Sequence, residues 1–345
     1  MKFIDLRSDT VTDPTDNMRK AMFEAVVGDD VYEDDPTVKE LEQYAANLVN
    51  KEDALFVPSG TFGNQLAIFT HCNRGEEVIL GDTCHIVAHE VGAASVIAGV
   101  QLRTIDNPKG ILNVHEVEKR IRKDNDIHIP DTSLICVENA HSTGVVVPLD
   151  NMRDIYNLAK KYNLKVHLDG ARLFNAAAYL NVAPSEITKY TDSVMFCLSK
   201  GLCAPIGSIL AGSKEFIHQA RKKRKLLGGG LRQSGFLAAA GLVALKEMIE
   251  PLKIDHENAL LLADELEKIP GIVVNKNDIH INMVFFNLKD TGVDGDYIVD
   301  KLYEKGIKIN GEEDGLMRFV THHWITKEDI YYVCDILKDI VTPKN

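Results

Sequence analysis

The sequence predicts an α/β protein: a mainly parallel sheet flanked by helices, followed by a smaller α+β unit. Three observations carry this. Short, almost wholly apolar runs recur, stretches of helical periodicity separate them, and the pattern changes after Glu250-Pro251. Apolar runs of that length suit strands covered on both faces.

Asp35-Pro36 followed by Val38, Leu41, Ala45 and Leu48 reads as a capped amphipathic helix, with proline in the first turn. Ala54–Val57 reads as a strand, and Ser59-Gly60-Thr61 as the turn into a helix running through Leu66 and Phe69. Val78–Leu80, Leu134–Val137, Val166–Leu168, Val194–Leu198 and Ile209–Ala211 are further strands, with helices such as Met152–Tyr162 between them. Beyond Pro251 a helix runs from Leu252 to about Leu266. Strands follow near Val273, Met283–Asn287, Ile307–Ile309 and Met317–Val320, with helices near Tyr297–Tyr303 and Lys327–Ile340. The expected division is a large domain over 1–249 and a small one over 250–345. No internal repeat or low-complexity stretch interrupts it.

The 345 residues are 45% hydrophobic and 26% charged, an ordinary globular composition. Lys+Arg 39 less Asp+Glu 51 gives −12, which argues against wrapping nucleic acid or lying on an anionic membrane. The basic run Arg221–Lys225 is too short to reverse that. No apolar stretch is long enough to span a bilayer, and the first seven residues lack the apolar core of a signal peptide. Six scattered cysteines without a C-x-x-C fit free thiols in a reducing cytoplasm.

Three expected strand ends carry chemistry, where an α/β sheet opens its ligand crevice. Ser59-Gly60-Thr61 places a hydroxyl and backbone N–H groups at a helix start, which suits a phosphate, although an ordinary capped turn has the same pattern. Asp169 closes a buried strand. Its carboxylate needs a cation or several donors, either Arg172 three residues on or a protonated heterocyclic nitrogen. Lys200 follows another apolar strand; desolvation disfavours its charge and a neutral lysine can form a Schiff base, although a snorkelling surface lysine is the more common case. Phosphate turn, carboxylate and lysine, in that order, are what pyridoxal phosphate (PLP) requires.

Arg7-Ser8-Asp9-Thr10-Val11-Thr12, Ser59-Gly60-Thr61, His167-Leu168-Asp169-Gly170-Ala171-Arg172, Ser199-Lys200-Gly201-Leu202, Gly228–Gln233 and Arg318–His322 together resemble the threonine aldolase family of fold-type I PLP enzymes, within the beta-eliminating lyase superfamily. The resemblance implies that Lys200 carries PLP as a Schiff base, that Asp169 meets the ring nitrogen, and that Ser59, Gly60 and Thr61 bind the phosphate. It also implies that His85 stacks on the ring and that Arg172 lies near the cofactor's phenolic oxygen and the substrate. Arg318 and Ser8 would take the substrate carboxylate. Lys225 and Arg232, on the cofactor side, and Tyr32, on the substrate side, would be lent to a neighbouring subunit, which makes the expected protein a homo-oligomer, a tetramer by similarity.

The implied reaction is retro-aldol cleavage of L-threonine or L-allo-threonine to glycine and acetaldehyde. His85 and His128 are the candidate bases for the β-hydroxyl, directly or through a water. Alternatives are β-elimination or cleavage of aryl-substituted substrates. A nicotinamide-dependent oxidoreductase is a remote alternative, since no G-x-G-x-x-G follows the first strand. No metal is expected: His85, His89 and Glu90 lack the H-E-x-x-H order. Ile86-Val87-Ala88 stands where the family often has an aromatic residue, and Leu231 where it often has methionine. Asn139 and His141 follow a strand with no role assigned, and His322-His323 reads as a loop pair beside the carboxylate site.

Overall fold

The computed structural model describes residues 3–123 and 126–342; the outermost residues of the two expected domains, 1–2 and 343–345, lie outside them. Strand β1 (Ile4–Asp5) opens the chain. A seven-stranded sheet follows, built from β2 (Asp53–Val57), β3 (Glu77–Gly81), β4 (Gln101–Ile105), β5 (Thr132–Glu138), β6 (Lys165–Asp169), β7 (Ser193–Cys197) and β8 (Ser208–Gly212) in the spatial order β2-β8-β7-β6-β5-β3-β4. β8 is antiparallel to both neighbours, and the other strands run one way. All of them but edge strand β4 are almost wholly buried.

Alternate residues divide the sheet's two faces. Phe56, Ile79, Ile135, Leu168 and Phe196 join a cluster with Val38, Leu41 and Ala45 of the helix Pro36–Leu48. Leu55, Val57, Met195, Cys197 and Leu210 face the other way, onto Leu66 and Ala67 of the helix Gly60–His71 and Ile217 of the helix Lys214–Leu226. The Pro36–Leu48 helix starts as expected: Asp35 accepts from the amides of Thr37 and Val38.

A second cluster forms from residues 259–341 and includes Leu6. It covers a three-stranded antiparallel sheet of β9 (Val273–Val274), β10 (Met283–Asn287) and β12 (Met317–Val320), in the order β12-β10-β9. β11 (Ile307–Lys308) pairs in parallel with β1. The amide of Val320 also donates to the carbonyl of Leu6 at 2.9 Å. The amino-terminal segment is therefore bound to the last third of the chain. From there it runs to Thr12, whose hydroxyl donates to the Lys200 carbonyl at 2.9 Å.

Candidate active site

β2, β5, β6 and β7 run in the same direction, so Val57, Glu138, Asp169 and Cys197 end at one edge of the sheet. Each end leads to chemistry. After Val57, Ser59 caps the helix Gly60–His71, its hydroxyl accepting from the Phe62 amide at 3.2 Å and its carbonyl from the Gly63 amide at 3.0 Å. The amides of Gly60 and Thr61 are left available at the positive end of a twelve-residue helix. Gly229 lies against this turn, where a Cβ would sit 2.4 Å from Phe62 Cζ. Gly229 is thus closely packed, while Gly228, in left-handed conformation just after the helix Lys214–Leu226, faces open space.

Asp169 is buried. Its Oδ2 accepts from Asn64 Nδ2 at 2.7 Å and its Oδ1 from the Ala171 amide at 3.0 Å. Arg172, its possible partner from the sequence, turns instead to the fully buried Asp9. Nε and Nη2 of Arg172 donate to Asp9 Oδ2 and Oδ1 at 2.8 and 2.6 Å. Burial pushes the Asp9 carboxyl up, but the guanidinium outweighs it and holds the pKa at about 2. Asp169 therefore keeps hydrogen-bond donors and no ion-paired cation among the described residues.

His85 lies in a short helix after β3, half-buried. Its amide donates to Glu138 Oε2 at 2.8 Å, and its Nδ1 lies 3.0 Å from Glu90 Oε1. That hydrogen bond raises the imidazole's pKa, and the charge of Asp169 adds to the effect. A carboxylate only accepts, so Nδ1 carries the proton and the neutral ring keeps Nε2 as a base. Glu138 faces Asp169 across β5 and β6. Burial and then the charge of Asp169 lift its pKa to about 7. Ligating atoms of His85, Glu90 and Asp169 come within 4.8 Å of one another. Asn64 and Gln65 donate to the two carboxylates, which ties the cluster into one hydrogen-bond network.

Lys200 follows β7, half-buried, and its charge is felt by Asp9, His85 and Glu138. Arg318 Nη2 donates to the carbonyl of Arg7 at 3.2 Å, beside Ser8. Burial and the nearby Arg172 lower its pKa. Arg318 has no carboxylate partner among the described residues, so a substrate carboxylate would relieve two neighbouring cations.

Other expected residues lie apart. His128 is exposed and hydrogen-bonds Asp126 at 2.8 Å. Tyr32 is 75% exposed, Lys225 is exposed in the last turn of the helix Lys214–Leu226, and Arg232 pairs with Asp29 at 2.9 Å on the surface. Asn139 exchanges hydrogen bonds with Val147, and His141 reaches Thr143, so both stitch the loop after β5. His322 binds the carbonyl of Asp5. Glu138 is a site residue that sequence reading missed, although it ends an apolar run just as Asp169 does. Asn64 and Asp9 gave no such signal.

The profile of the beta-eliminating lyase family matches residues 5–289. The chain belongs to the beta-eliminating lyase family. It is 45% identical to low-specificity L-threonine aldolase 1 of Arabidopsis thaliana, over 96% of this chain and 94% of that one. It is 42% identical to the low specificity L-threonine aldolase of Escherichia coli O157:H7, over 95% of this chain and 96% of that one. A Leishmania major threonine aldolase structure superposes with a TM-score of 0.83, covering 98% of this chain and all of that one; at 20% identity it speaks for the fold. This beta-eliminating lyase family member is a PLP-dependent lyase. The donor set fits the coenzyme: an amine, a buried carboxylate without a cation, an imidazole and open amides at a helix start.

Proposed function

We propose that the protein cleaves L-threonine and L-allo-threonine to glycine and acetaldehyde. The observation that carries this is the convergence of Lys200, Asp169, His85 and the Gly60–Thr61 amides on one sheet edge, with Arg318, which has no carboxylate partner among the described residues, beside Ser8. Bound PLP supplies an electron sink for the pair released when the Cα–Cβ bond breaks.

The protein's residues do the rest. Lys200 Nζ is the amine that would hold the coenzyme through its aldehyde. Asp169 keeps a proton on the ring nitrogen. The amides of Gly60 and Thr61, with Ser59, hold the phosphate. Arg318, with Ser8, clamps the substrate carboxylate, which fixes the direction in which the Cα–Cβ bond points and so selects it for cleavage. His85 would pack on the coenzyme ring, and its Nε2 is the base that would take the β-hydroxyl proton, with Glu90 at Nδ1 stabilising the imidazolium. His128 is the second candidate base.

We read the molecule as a cytoplasmic homo-oligomer, a tetramer by similarity, dividing near residue 250 into a large and a small domain. Leu226 and Phe236 are exposed apolar groups near Lys225 and Arg232 in sequence, and the exposed Phe23, Val26 and Tyr32 flank Asp29, the partner of Arg232, which supports a covered surface there. The described residues contain no helix long and apolar enough to cross a membrane.

A chiral panel of β-hydroxy-α-amino acids tests the reading. The parental protein should release glycine and an aldehyde, and Lys200→Ala should lose at least about a thousandfold in rate. An α-keto acid and ammonia in place of glycine would assign β-elimination instead.

A further inference from the structure

Asp169 is joined to a chain of polar side chains that crosses the core beneath the sheet's edge. Asn64 Nδ2 donates to Asp169 Oδ2 at 2.7 Å and to Glu90 Oε1 at 2.8 Å. Asn64 Oδ1 lies 3.1 Å from His167 Nε2. His167 Nδ1 lies 2.9 Å from Ser193 Oγ, and Ser193 Oγ lies 2.7 Å from His71 Nε2. Asn64, His167 and Ser193 are fully buried.

Elementary geometry places them in line. His167 and Asp169 are two apart on β6, so they share a face. Ser193 is the register partner of His167 on β7. Asn64 and His71 are seven apart on the helix Gly60–His71, which puts both on the side that covers this face. Such polar groups in a core are costly unless every one is satisfied.

The hydrogens can be assigned one by one. Both hydrogens of the Asn64 amide go to carboxylates, so Oδ1 must accept and His167 Nε2 must donate. Burial holds His167 far below its ordinary pKa, at about 3, so the ring is neutral and Nδ1 is bare. Nδ1 accepts the Ser193 hydroxyl hydrogen. The Ser193 oxygen then accepts from His71 Nε2. His71 stacks on Phe216 with ring centroids 4.3 Å apart, and burial lowers its pKa to about 4. From His71 through Ser193 and His167 to Asn64 the donors thus run toward Asp169, with the second Asn64 hydrogen going to Glu90, and no member can turn without opposing its neighbour.

We propose that Asn64, His167 and Ser193, closed off by His71, are positioning residues that lock the Asp169 carboxylate in the orientation in which it meets the ring nitrogen of the coenzyme. This rests on Asp169 meeting that nitrogen, as in the proposed function. Glu90 shares the Asn64 amide, so the same lock fixes the carboxylate that holds His85.

Histidine-selective 15N spectra of the holoenzyme test it, with His167→Gln and His71→Gln used for assignment. Both rings should be neutral at pH 7 and carry their proton on Nε2. His167→Leu should lower kcat by about tenfold and leave KM within about twofold. His167→Gln, which keeps a donor at the Nε2 position, should recover most of the loss. A His167 proton on Nδ1, or a folded His167→Leu protein with parental kcat, would overturn the relay. If the parental holoenzyme did not cleave threonine, the functional reading would fall, while the tautomers of the two rings would still decide the relay.

Discussion

The surroundings of Asp169 and those of Arg232 are opposites. Asp169 sits in the core, both oxygens hydrogen-bonded, on a helix and strands of the same chain. Arg232, Lys225, Tyr32 and His128 stand in solvent, held by single surface contacts or none among the described residues. The difference teaches where precision is needed. The groups that tune the ring are fixed before any ligand arrives, since a misplaced carboxylate there would cost rate directly. The groups reaching outward are left for a second surface to order.

The comparison can be broken most severely at Asp9. Asp9→Ala leaves the Arg172 guanidinium buried and unpaired, and should lower folding stability by ~3–5 kcal/mol. Chemical denaturation checks this, and a loss under about 1 kcal/mol would show that Arg172 finds another partner. Arg318→Ala removes a charged fork from the substrate site, so KM should rise about thirtyfold with a smaller change in kcat. Steady-state kinetics with threonine decides it, and an unchanged KM removes Arg318 from the carboxylate role.

A third expectation concerns acid. The folded Asp9 carboxyl titrates at about 2, below its ordinary 3.8. The unfolded chain therefore binds more protons in this range. The contribution of the pair is complete above about pH 4 and is lost as pH falls toward 2. Denaturation between pH 5 and 3 should show a falling free energy that is flatter in Asp9→Asn. At the outer region the effect is smallest. Arg232→Ala should change folding stability by less than ~1 kcal/mol, because its pair with Asp29 is exposed. Its coenzyme affinity should nevertheless fall, and parental affinity would place Arg232 outside a shared site.

The same contrast governs what could be read in the sequence. β2, β3 and β5–β8 were legible because burial on both faces leaves runs of Val, Ile, Leu and Phe. β4, Gln101–Ile105, was not, because an edge strand with exposed polar residues looks like loop. The helix Gly235–Glu247 escaped for the opposite reason: its Ala and Gly are buried almost all round, so no polar stripe marks it. Lys200 and Asp169 were legible as polar residues ending apolar strands. Asn64 was not, because only the packing of its helix onto β6 and β7 makes it a donor to Asp169. The part played by Asp9 came from Arg172, a residue 163 positions away. His128 was named through resemblance alone, and its place on an exposed loop shows why spacing could not have found it.

The pairing of β1 with β11 has a consequence for the birth of the protein. Residues 4–6 are made long before their partners, Lys308 and Val320, which lie about 300 positions further along the chain. Until then Leu6 has no core to enter, and Ser8 has no Arg318 beside it. The substrate end of the cleft must therefore close after the residues of the central sheet have been made, as a long-range and slow step of assembly.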